Sequence, residues 1–185
     1  MANPKPKTHN PQSDREPIPS LEVISSSVEE TQTFGERLGR LLRAGDVVAC
    51  YGQLGSGKTT LIQGIAQGAG CEARLVKSPT FVLMREYPGP VPIVHLDGYR
   101  LEGAPAVAWL DLDWLFSSGK ITLIEWAERC EGLLPENHLE ARLAHLSANR
   151  RRCALVSSGA RAGEIVAQLR AETPPPPETH EAPGD

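Results

Sequence analysis

The sequence lacks the features of membrane, secreted and zinc-knuckle proteins. No apolar stretch approaches the roughly 20 residues that are needed to span a bilayer, and the first residues have no signal-peptide apolar core. The four cysteines show no CxxC spacing, which argues against a metal knuckle and against a disulfide framework; they are Cys50, Cys71, Cys130 and Cys153. We therefore expect a cytoplasmic chain with no membrane segment.

An excess of basic charge is also missing. The formal net charge is −4, and four acids beyond residue 170 account for all of it, namely Glu172, Glu178, Glu181 and Asp185. The rest of the chain is close to neutral, which excludes broad electrostatic capture of tRNA or DNA. Any nucleic-acid contact would have to be local or shared with a partner protein.

The prolines are concentrated at the two ends of the chain. Ten of the 16 prolines lie in residues 1–20 or 174–185, among charged and polar residues with almost nothing apolar. Such segments cannot offset the entropy of ordering, so we predict disordered tails over 1–20 and 171–185. One ordered domain is expected over 21–170, since 185 residues have room for a single core.

Short apolar runs alternate with helical patterns in this domain. Ser27 and Glu30 form a capping-box pattern that predicts a helix ending near Gly45. Continuous apolar runs are typical of strands buried on both faces of a parallel sheet. The predicted strands are Leu21–Ser25, Asp46–Tyr51, Phe81–Tyr87, Pro92–Leu96, Ile121–Ile124, Leu139–Leu146 and Arg152–Val156, and further helices are predicted at Lys58–Gly68 and Gly163–Arg170. Together they predict a three-layer α/β domain with a mostly parallel, mixed central sheet.

One motif indicates specific chemistry. Gly52 to Thr59 match G-x-x-x-x-G-K-[ST] in full, between a predicted buried strand and a predicted helix. Glycines let successive N–H groups point at a phosphate, and the helix adds the positive end of its dipole. Lys58 is expected to reach the β- and γ-phosphates and Thr59 to ligate Mg²⁺. The motif predicts a P-loop NTPase fold that binds ATP through Gly52, Leu54, Gly55, Ser56, Gly57, Lys58, Thr59 and Thr60.

Two acids are candidates for the metal and for catalysis. Glu125 and Asp97 each end an apolar run, and the carboxyl ends of parallel strands meet at one edge of a sheet. One could ligate Mg²⁺ while the other orients or deprotonates the attacking water. The sequence does not allot these roles between them. The alternative is that each acid only caps the helix that follows it.

Two motifs that are absent argue against two classes of P-loop protein. The chain has no Asn-Lys-x-Asp and no Leu-Ser-Gly-Gly-Gln, which argues against a guanine-specific GTPase and against an ABC-type dimer. A small-molecule kinase is an alternative. Kinases usually have an arginine-rich lid over the phosphates, and here the only dense arginine cluster, Arg150 to Arg152, falls in a predicted hairpin turn, which argues against a kinase. A nucleotide-gated binding module is a second alternative, in which ATP orders a loop and hydrolysis only resets it.

Four stretches together resemble the TsaE (YjeE) family of P-loop ATPases, which serve tRNA threonylcarbamoyladenosine synthesis in bacteria. They are Gly52 to Thr60, Ser78-Pro79-Thr80-Phe81, His95-Leu96-Asp97-Gly98-Tyr99-Arg100-Leu101 and Ile124-Glu125-Trp126-Ala127-Glu128-Arg129. The resemblance extends roughly from Val23 to Val156. The three later stretches are far more specific than the P-loop, because many unrelated families contain a P-loop.

The resemblance implies a partner-dependent ATPase. Proteins of this family are weak ATPases alone, and they bind a dimer of TsaD and TsaB, in which TsaD carries out the transfer to tRNA. By similarity Lys58 and Thr59 hold phosphates and metal, and Asp97 and Glu125 are the acids needed for hydrolysis. Trp126 is expected beside the nucleotide. Thr80, in a switch-like loop, is expected to sense the γ-phosphate.

Several residues have a second interpretation. Gly98 stands where the family usually has a larger residue, which predicts a looser loop after Asp97, and Lys77 replaces a common threonine. His95 in an apolar strand is more typical of a core histidine than of a ligand. Trp126 could equally be a core side chain. Tyr99 and Arg100 are interpreted as a packing pair, although Arg100 could instead reach a phosphate or a partner. Residues 109–114 are interpreted as a short surface helix.

Overall fold

The computed structural model describes residues 21–79, 82–101 and 110–172. Most of the predicted tails, at 1–20 and 173–185, therefore lie outside the described residues, as do Thr80, Phe81 and Trp109. The described strands are β1 (Leu21–Ser25), β2 (Val47–Tyr51), β3 (Met84–Tyr87), β4 (Ile93–Asp97), β5 (Ile121–Glu125), β6 (His138–His145) and β7 (Arg151–Ser158). The described helices are α1 (Val28–Leu41), α2 (Lys58–Gly68), α3 (Leu112–Leu115) and α4 (Gly159–Glu172).

The strands form one mixed sheet that is parallel at its centre. Its order is β1-β7-β6-β2-β5-β4-β3. Strand β2 pairs in parallel with β5 and β6, and β4 pairs in parallel with β5, whereas β1, β3 and β7 pair antiparallel. All residues of β2, β4 and β5 are buried, as their continuous apolar runs predict. The three-layer α/β prediction is confirmed.

Two apolar cores lie on opposite faces of the sheet. Helices α1, α2 and α4 cover one face, where Val48 and Cys50 of β2 point. On the other face, α3 and nearby short turns cover the alternate residues Val47 and Ala49. The four cysteines are free and buried, with Cys130 in the second core and the other three in the first. No described helix combines the length and apolar character that a membrane span requires.

Helices α1 and α2 touch along a seam of glycines. A Cβ on Gly35 would lie 2.9 Å from the backbone nitrogen of Ile65, and one on Gly64 would lie 2.9 Å from Cα of Gln32. Gly39 and Gly68 meet the opposite backbone in the same way. The two helix backbones are therefore in direct contact, and α2, which begins at the P-loop, has a fixed position on α1.

The boundaries of β3 and α4 differ from their predictions. The predicted start of the third strand, Phe81, lies outside the described residues, and Val82 and Leu83 belong to a turn rather than a strand, because Pro79 O accepts the N–H groups of both. Leu83 also has a φ of 68°, which a strand does not allow. Helix α4 begins at Gly159 instead of 163 and continues to Glu172, two residues beyond the predicted domain boundary.

Two further predictions of local structure agree with the fold. The Oγ of Ser27 accepts the N–H of Glu30 at the start of α1, at 3.1 Å. The Glu30 carboxylate completes the capping box by accepting the N–H of Ser26 rather than that of Ser27. The short helix expected within 109–114 is α3, capped by Asp111, whose carboxylate accepts the N–H of Trp114 at 2.9 Å.

Candidate nucleotide-binding site

The P-loop connects buried β2 to α2 and depends on three glycines. Gly52, Gly55 and Gly57 have φ values of 135°, 75° and 102°, which favour glycine strongly. A Cβ at position 52 would also collide with the carbonyl of Leu143 on the neighbouring strand. The motif therefore has the backbone conformation that turns N–H groups inward. Among the described residues, the Ser56 Oγ is the one buried side-chain oxygen without a hydrogen-bond partner.

Lys58 begins α2 and is almost fully buried, with 4% of its surface exposed. Its ammonium donates hydrogen bonds to the carbonyls of Gly52 and Gln53, the latter at 3.0 Å. The same nitrogen lies 3.7 Å from the centre of the Trp126 ring. Burial lowers the pKa of Lys58, and the nearby carboxylates of Glu125 and others oppose that shift. The cation lies inside the loop, where a phosphate could replace its carbonyl partners.

Thr59 and Glu125 are in direct contact. The Thr59 hydroxyl donates to Glu125, with Oγ1 2.8 Å from Oε1 and 3.0 Å from Oε2. Glu125 is 3% exposed, and its Oε1 also lies 3.0 Å from His95 Nε2. A hydroxyl and a carboxylate in contact beside a phosphate cradle fit Mg²⁺, which takes one or two carboxylates and completes its shell with phosphates and water. Accordingly, no cluster of three or more acids, histidines or cysteines suited to a metal occurs in the described part of the chain.

Asp97 lies beside Glu125 but makes different contacts. The two acids are register partners on β4 and β5, so they share one edge of the sheet as predicted. Asp97 accepts a hydrogen bond from the Ser78 hydroxyl at 3.0 Å and from the N–H of Tyr99 at 2.9 Å. It therefore caps the short 3₁₀ turn Gly98–Arg100, as the alternative interpretation holds, and also contacts the segment before Thr80. Glu125 caps no turn, since the residue at the start of the next turn is Trp126.

Trp126 has a left-handed backbone, with φ 55° and ψ 47°. This conformation is uncommon for a bulky residue and marks a constrained position. Its ring lies between Lys58 and the half-exposed Tyr99, whose ring centre is 5.0 Å away. Trp126 therefore lies against the ammonium of Lys58, and the Tyr99 ring contacts it at an interplanar angle of 58°. The interpretation of Tyr99 as a simple packing partner of Arg100 missed this contact.

Gly98 does not loosen the loop after Asp97, and that expectation is wrong. A Cβ at this position would lie 2.7 Å from the carbonyl oxygen of Trp126 and 2.8 Å from Sγ of Cys130. The absence of a side chain lets the turn approach the chain after β5. A larger residue here would require these two segments to move apart.

Two clefts share residues of the P-loop, and a third, of about 490 Å³, also includes Gly52 and Gln53 together with Trp126. The first, of about 320 Å³, is lined by Leu54, Gly55, Gly57, Lys58, Thr59, Thr60, Ser78, Glu125 and Trp126. The second, of about 390 Å³, shares Gly55, Gly57 and Thr60 with it and is otherwise lined by Ser26, Ser27, Val28, Thr31, Ala148, Asn149 and Arg151. The Leu54 side chain is 83% exposed at the tip of the loop.

The sequence analysis missed the residues of the second cleft. They come from the connection between β1 and α1 and from the β6–β7 turn, which the sheet order brings to the P-loop edge. The predicted hairpin of the last two strands could have indicated the residues of its turn, because β6 is parallel to β2 and therefore ends at the same edge of the sheet. Arg151 does not form a lid here, since its guanidinium donates to carbonyls of its own turn, including Ser147 O and Ala148 O.

The fold and this site define a P-loop nucleotide-binding protein of the α/β class. The family model described as "Threonylcarbamoyl adenosine biosynthesis protein TsaE" matches residues 25–153. The chain belongs to the TsaE family.

Individual relatives agree with this assignment. The tRNA threonylcarbamoyladenosine biosynthesis protein TsaE of Streptomyces coelicolor is 45% identical over 115 residues, which cover 60% of this chain and 76% of that protein. The protein of the same name from Bacillus subtilis is 35% identical over 142 residues, covering 76% and 88%. The crystal structure of Bacillus subtilis YdiB matches with a TM-score of 0.69 and 27% identity, over 82% of this chain and 95% of that one.

Proposed function

We propose that this protein binds and hydrolyses ATP with Mg²⁺ in support of threonylcarbamoyladenosine modification of tRNA in the cytoplasm. The single observation that carries the proposal is the contact between Thr59 and Glu125, next to the buried ammonium of Lys58. That arrangement offers a metal-binding hydroxyl, a carboxylate and a phosphate-binding cation within one cleft. Family membership supports the link to tRNA modification.

The contacts favour different roles for the two acids. Glu125 touches Thr59 and is proposed to hold Mg²⁺ with it, whereas Asp97 touches Ser78 and is proposed to orient the attacking water. When bound, Mg²⁺ would neutralise charge on the β- and γ-phosphates. Lys58 would exchange its carbonyl partners for phosphate oxygens. Trp126 would keep water away from that cation on one side.

The nucleoside is proposed to occupy the second cleft. This cleft adjoins the first at Thr60, just past the lysine and threonine that take the terminal phosphates and metal. Ser26, Ser27 and Asn149 supply polar groups that could hydrogen-bond a base or a ribose. The ATP would then extend from the β1–α1 connection toward Glu125.

Turnover is proposed to depend on the TsaD–TsaB pair, with tRNA reached only through that complex. The nearly neutral body of the chain argues against independent tRNA binding. Apolar surface is exposed beside the phosphate cleft, at Leu54 (83%), Val82 (53%) and Tyr99 (48%). Exposed apolar groups beside a site that the described residues leave open are suited to a partner that closes it.

The first test is ATP turnover by the purified protein, alone and with TsaD and TsaB. We expect slow turnover that rises with the pair and falls about 100-fold or more in Lys58→Ala, because the phosphate charge loses its buried partner. Lys120→Ala is the matched control, since Lys120 also lies over a tryptophan ring, at 3.1 Å from Trp114, but before β5 at the other edge of the sheet. Equal turnover by both variants would contradict the phosphate role of Lys58.

The nucleotide-gated module is a second candidate, favoured by the Ser78–Asp97 hydrogen bond, which ties the loop to the site. Asp97→Asn should bind ATP but hydrolyse it poorly. If this variant supports repeated cycles of tRNA modification with TsaD and TsaB, binding alone suffices and the hydrolysis step of the proposal is wrong. If modification stops after about one cycle, hydrolysis is required.

A further inference from the structure

His95 is a buried polar residue that the proposed mechanism does not use. It lies on β4 with 0% of its surface exposed. One ring nitrogen, Nε2, is 3.0 Å from Glu125 Oε1, and the other, Nδ1, is 3.4 Å from the hydroxyl of Tyr87. A carboxylate only accepts hydrogen bonds, so Nε2 carries the hydrogen that it shares with Glu125.

Tyr87 extends this contact to the loop before Thr80. Its hydroxyl donates to the carbonyl of Lys77 at 2.9 Å and accepts the N–H of the same residue at 3.3 Å. Burial raises the pKa of the Tyr87 phenol, so it keeps the hydrogen that it donates. A continuous set of polar contacts therefore runs from Thr59 through Glu125, His95 and Tyr87 to Lys77. Within it, the single phenolic hydrogen of Tyr87 can be donated either to Lys77 O, at 2.9 Å, or to His95 Nδ1, at 3.4 Å.

The segment Val76 to Ser78 is held from three directions. Gln63 of α2 donates from its side chain to the carbonyl of Val76 at 3.1 Å. Tyr87 holds Lys77, and the Ser78 hydroxyl donates to Asp97. Both acids of the site and the P-loop helix thus act on three consecutive residues. A shift of Glu125 would move the His95 ring, and the position of Nδ1 would determine whether the Tyr87 hydroxyl donates to it or to Lys77 O.

We propose that His95 is a positioning residue for Glu125 and that Tyr87 transmits the state of the metal site to Lys77. The inference rests on the proposed function, because it requires Mg²⁺ with ATP at Thr59 and Glu125. His95 fixes one carboxylate oxygen so that the other faces the metal, which is how outer hydrogen bonds orient metal ligands. Tyr87 then makes the backbone at residue 77 depend on where that carboxylate lies.

The test compares His95→Leu, His95→Gln and Tyr87→Phe in the full chain, with a non-hydrolysable ATP analogue. We expect His95→Leu to raise the Mg²⁺ concentration for half-maximal nucleotide binding about 10-fold or more, the usual effect of losing an outer hydrogen bond. His95→Gln keeps an N–H donor and should restore most of the wild-type value. Tyr87→Phe should leave that value near wild type, since Glu125 keeps its histidine.

The second readout is the NMR signal of the Lys77 amide. In the wild type, adding Mg²⁺ to the nucleotide-bound protein should change its chemical shift and hydrogen exchange. His95→Leu and Tyr87→Phe should both abolish that response while each variant still unfolds cooperatively. His138→Leu is the matched control, because His138 also faces a glutamate, Glu140, at 3.6 Å, but at the amino end of β6. It should keep both the Mg²⁺ dependence and the response of Lys77.

The outcomes distinguish a failure of the proposed function from a failure of the roles assigned to His95 and Tyr87. If the wild type does not bind the analogue with Mg²⁺, both the proposed function and this inference are wrong. If it binds, but a folded His95→Leu keeps the wild-type Mg²⁺ dependence, the positioning role alone is refuted. A Lys77 response that persists in Tyr87→Phe would refute the transmission step.

Discussion

Replacing Gly64 with alanine should destabilise the protein, although alanine is the better helix former. Helix propensity alone favours the change by about 1 kcal/mol. However, the new Cβ would collide with the carbonyl oxygen of Gln32 and lie 2.9 Å from Cα of the same residue, whereas ordinary contact begins near 3.4 Å, so α1 and α2 must separate by roughly an ångström. Overpacking of this kind costs about 1–3 kcal/mol. Because the clash is with backbone rather than with a flexible side chain, we expect a cost near the upper end of that range. The free energy of unfolding should therefore fall by roughly 2 kcal/mol after the propensity gain is subtracted.

The matched control for this prediction is Gly163→Ala, in helix α4. A Cβ at Gly163 meets no atom within 4 Å, so the same chemical change should stabilise the protein by up to about 1 kcal/mol. Urea denaturation of the three proteins, followed by circular dichroism, measures both values. If Gly64→Ala proved as stable as Gly163→Ala, the backbone contact between α1 and α2 would not constrain the fold, and the reasoning would be refuted.

Two further predictions concern ion pairs at the sheet edge opposite the P-loop. A hydrogen bond to Glu140 raises the pKa of His138, so the contribution of His138 to stability is present at low pH and is lost as pH rises through the raised value. The free energy of unfolding, measured from pH 5.5 to 8.5, should show this loss. In His138→Gln the same free energy should depend less on pH. A slope that is unchanged in His138→Gln would contradict this. Arg161→Met removes a guanidinium that lies 2.9 Å from the buried carboxylate of Asp46. This change should lower the free energy of unfolding by about 2 kcal/mol. The loss is smaller than for a fully buried pair because Arg161 is partly exposed to solvent. Denaturation that matches the wild type would show that Asp46 needs no cation.

The elements around the P-loop could be predicted because their signals are local. The bounds of α2 agree with the structure, since Gly57 needs a positive φ and the helix begins directly after it. Strands β2 and β5 were recognisable from continuous apolar runs, which only strands buried on both faces require. Glu125 and Asp97 could be placed at one edge because parallel strands share their carboxyl ends.

Features that depend on distant residues could not be predicted in the same way. Leu83 alternates with its neighbours as a strand residue would, but hydrogen bonds to Pro79 O turn the chain there. His95 was expected to be a core residue, and it is buried, but its contact with Glu125 depends on how β4 and β5 align. Ser26 and Asn149 line one cleft only because of the order of strands in the sheet.

Chemical modification of the four buried cysteines can show which part of the protein opens first. Burial raises the pKa of Cys130 to about 11 and that of Cys153 to about 12, so a thiol reagent at neutral pH should not modify the folded chain. Cys130 belongs to one core and the other three cysteines to the other. Mass spectrometry after a pulse of reagent would therefore distinguish the two sides of the sheet by the number of adducts. A single adduct would indicate that the layer on the α3 side of the sheet loosens first, and three adducts would indicate the layer under α1, α2 and α4.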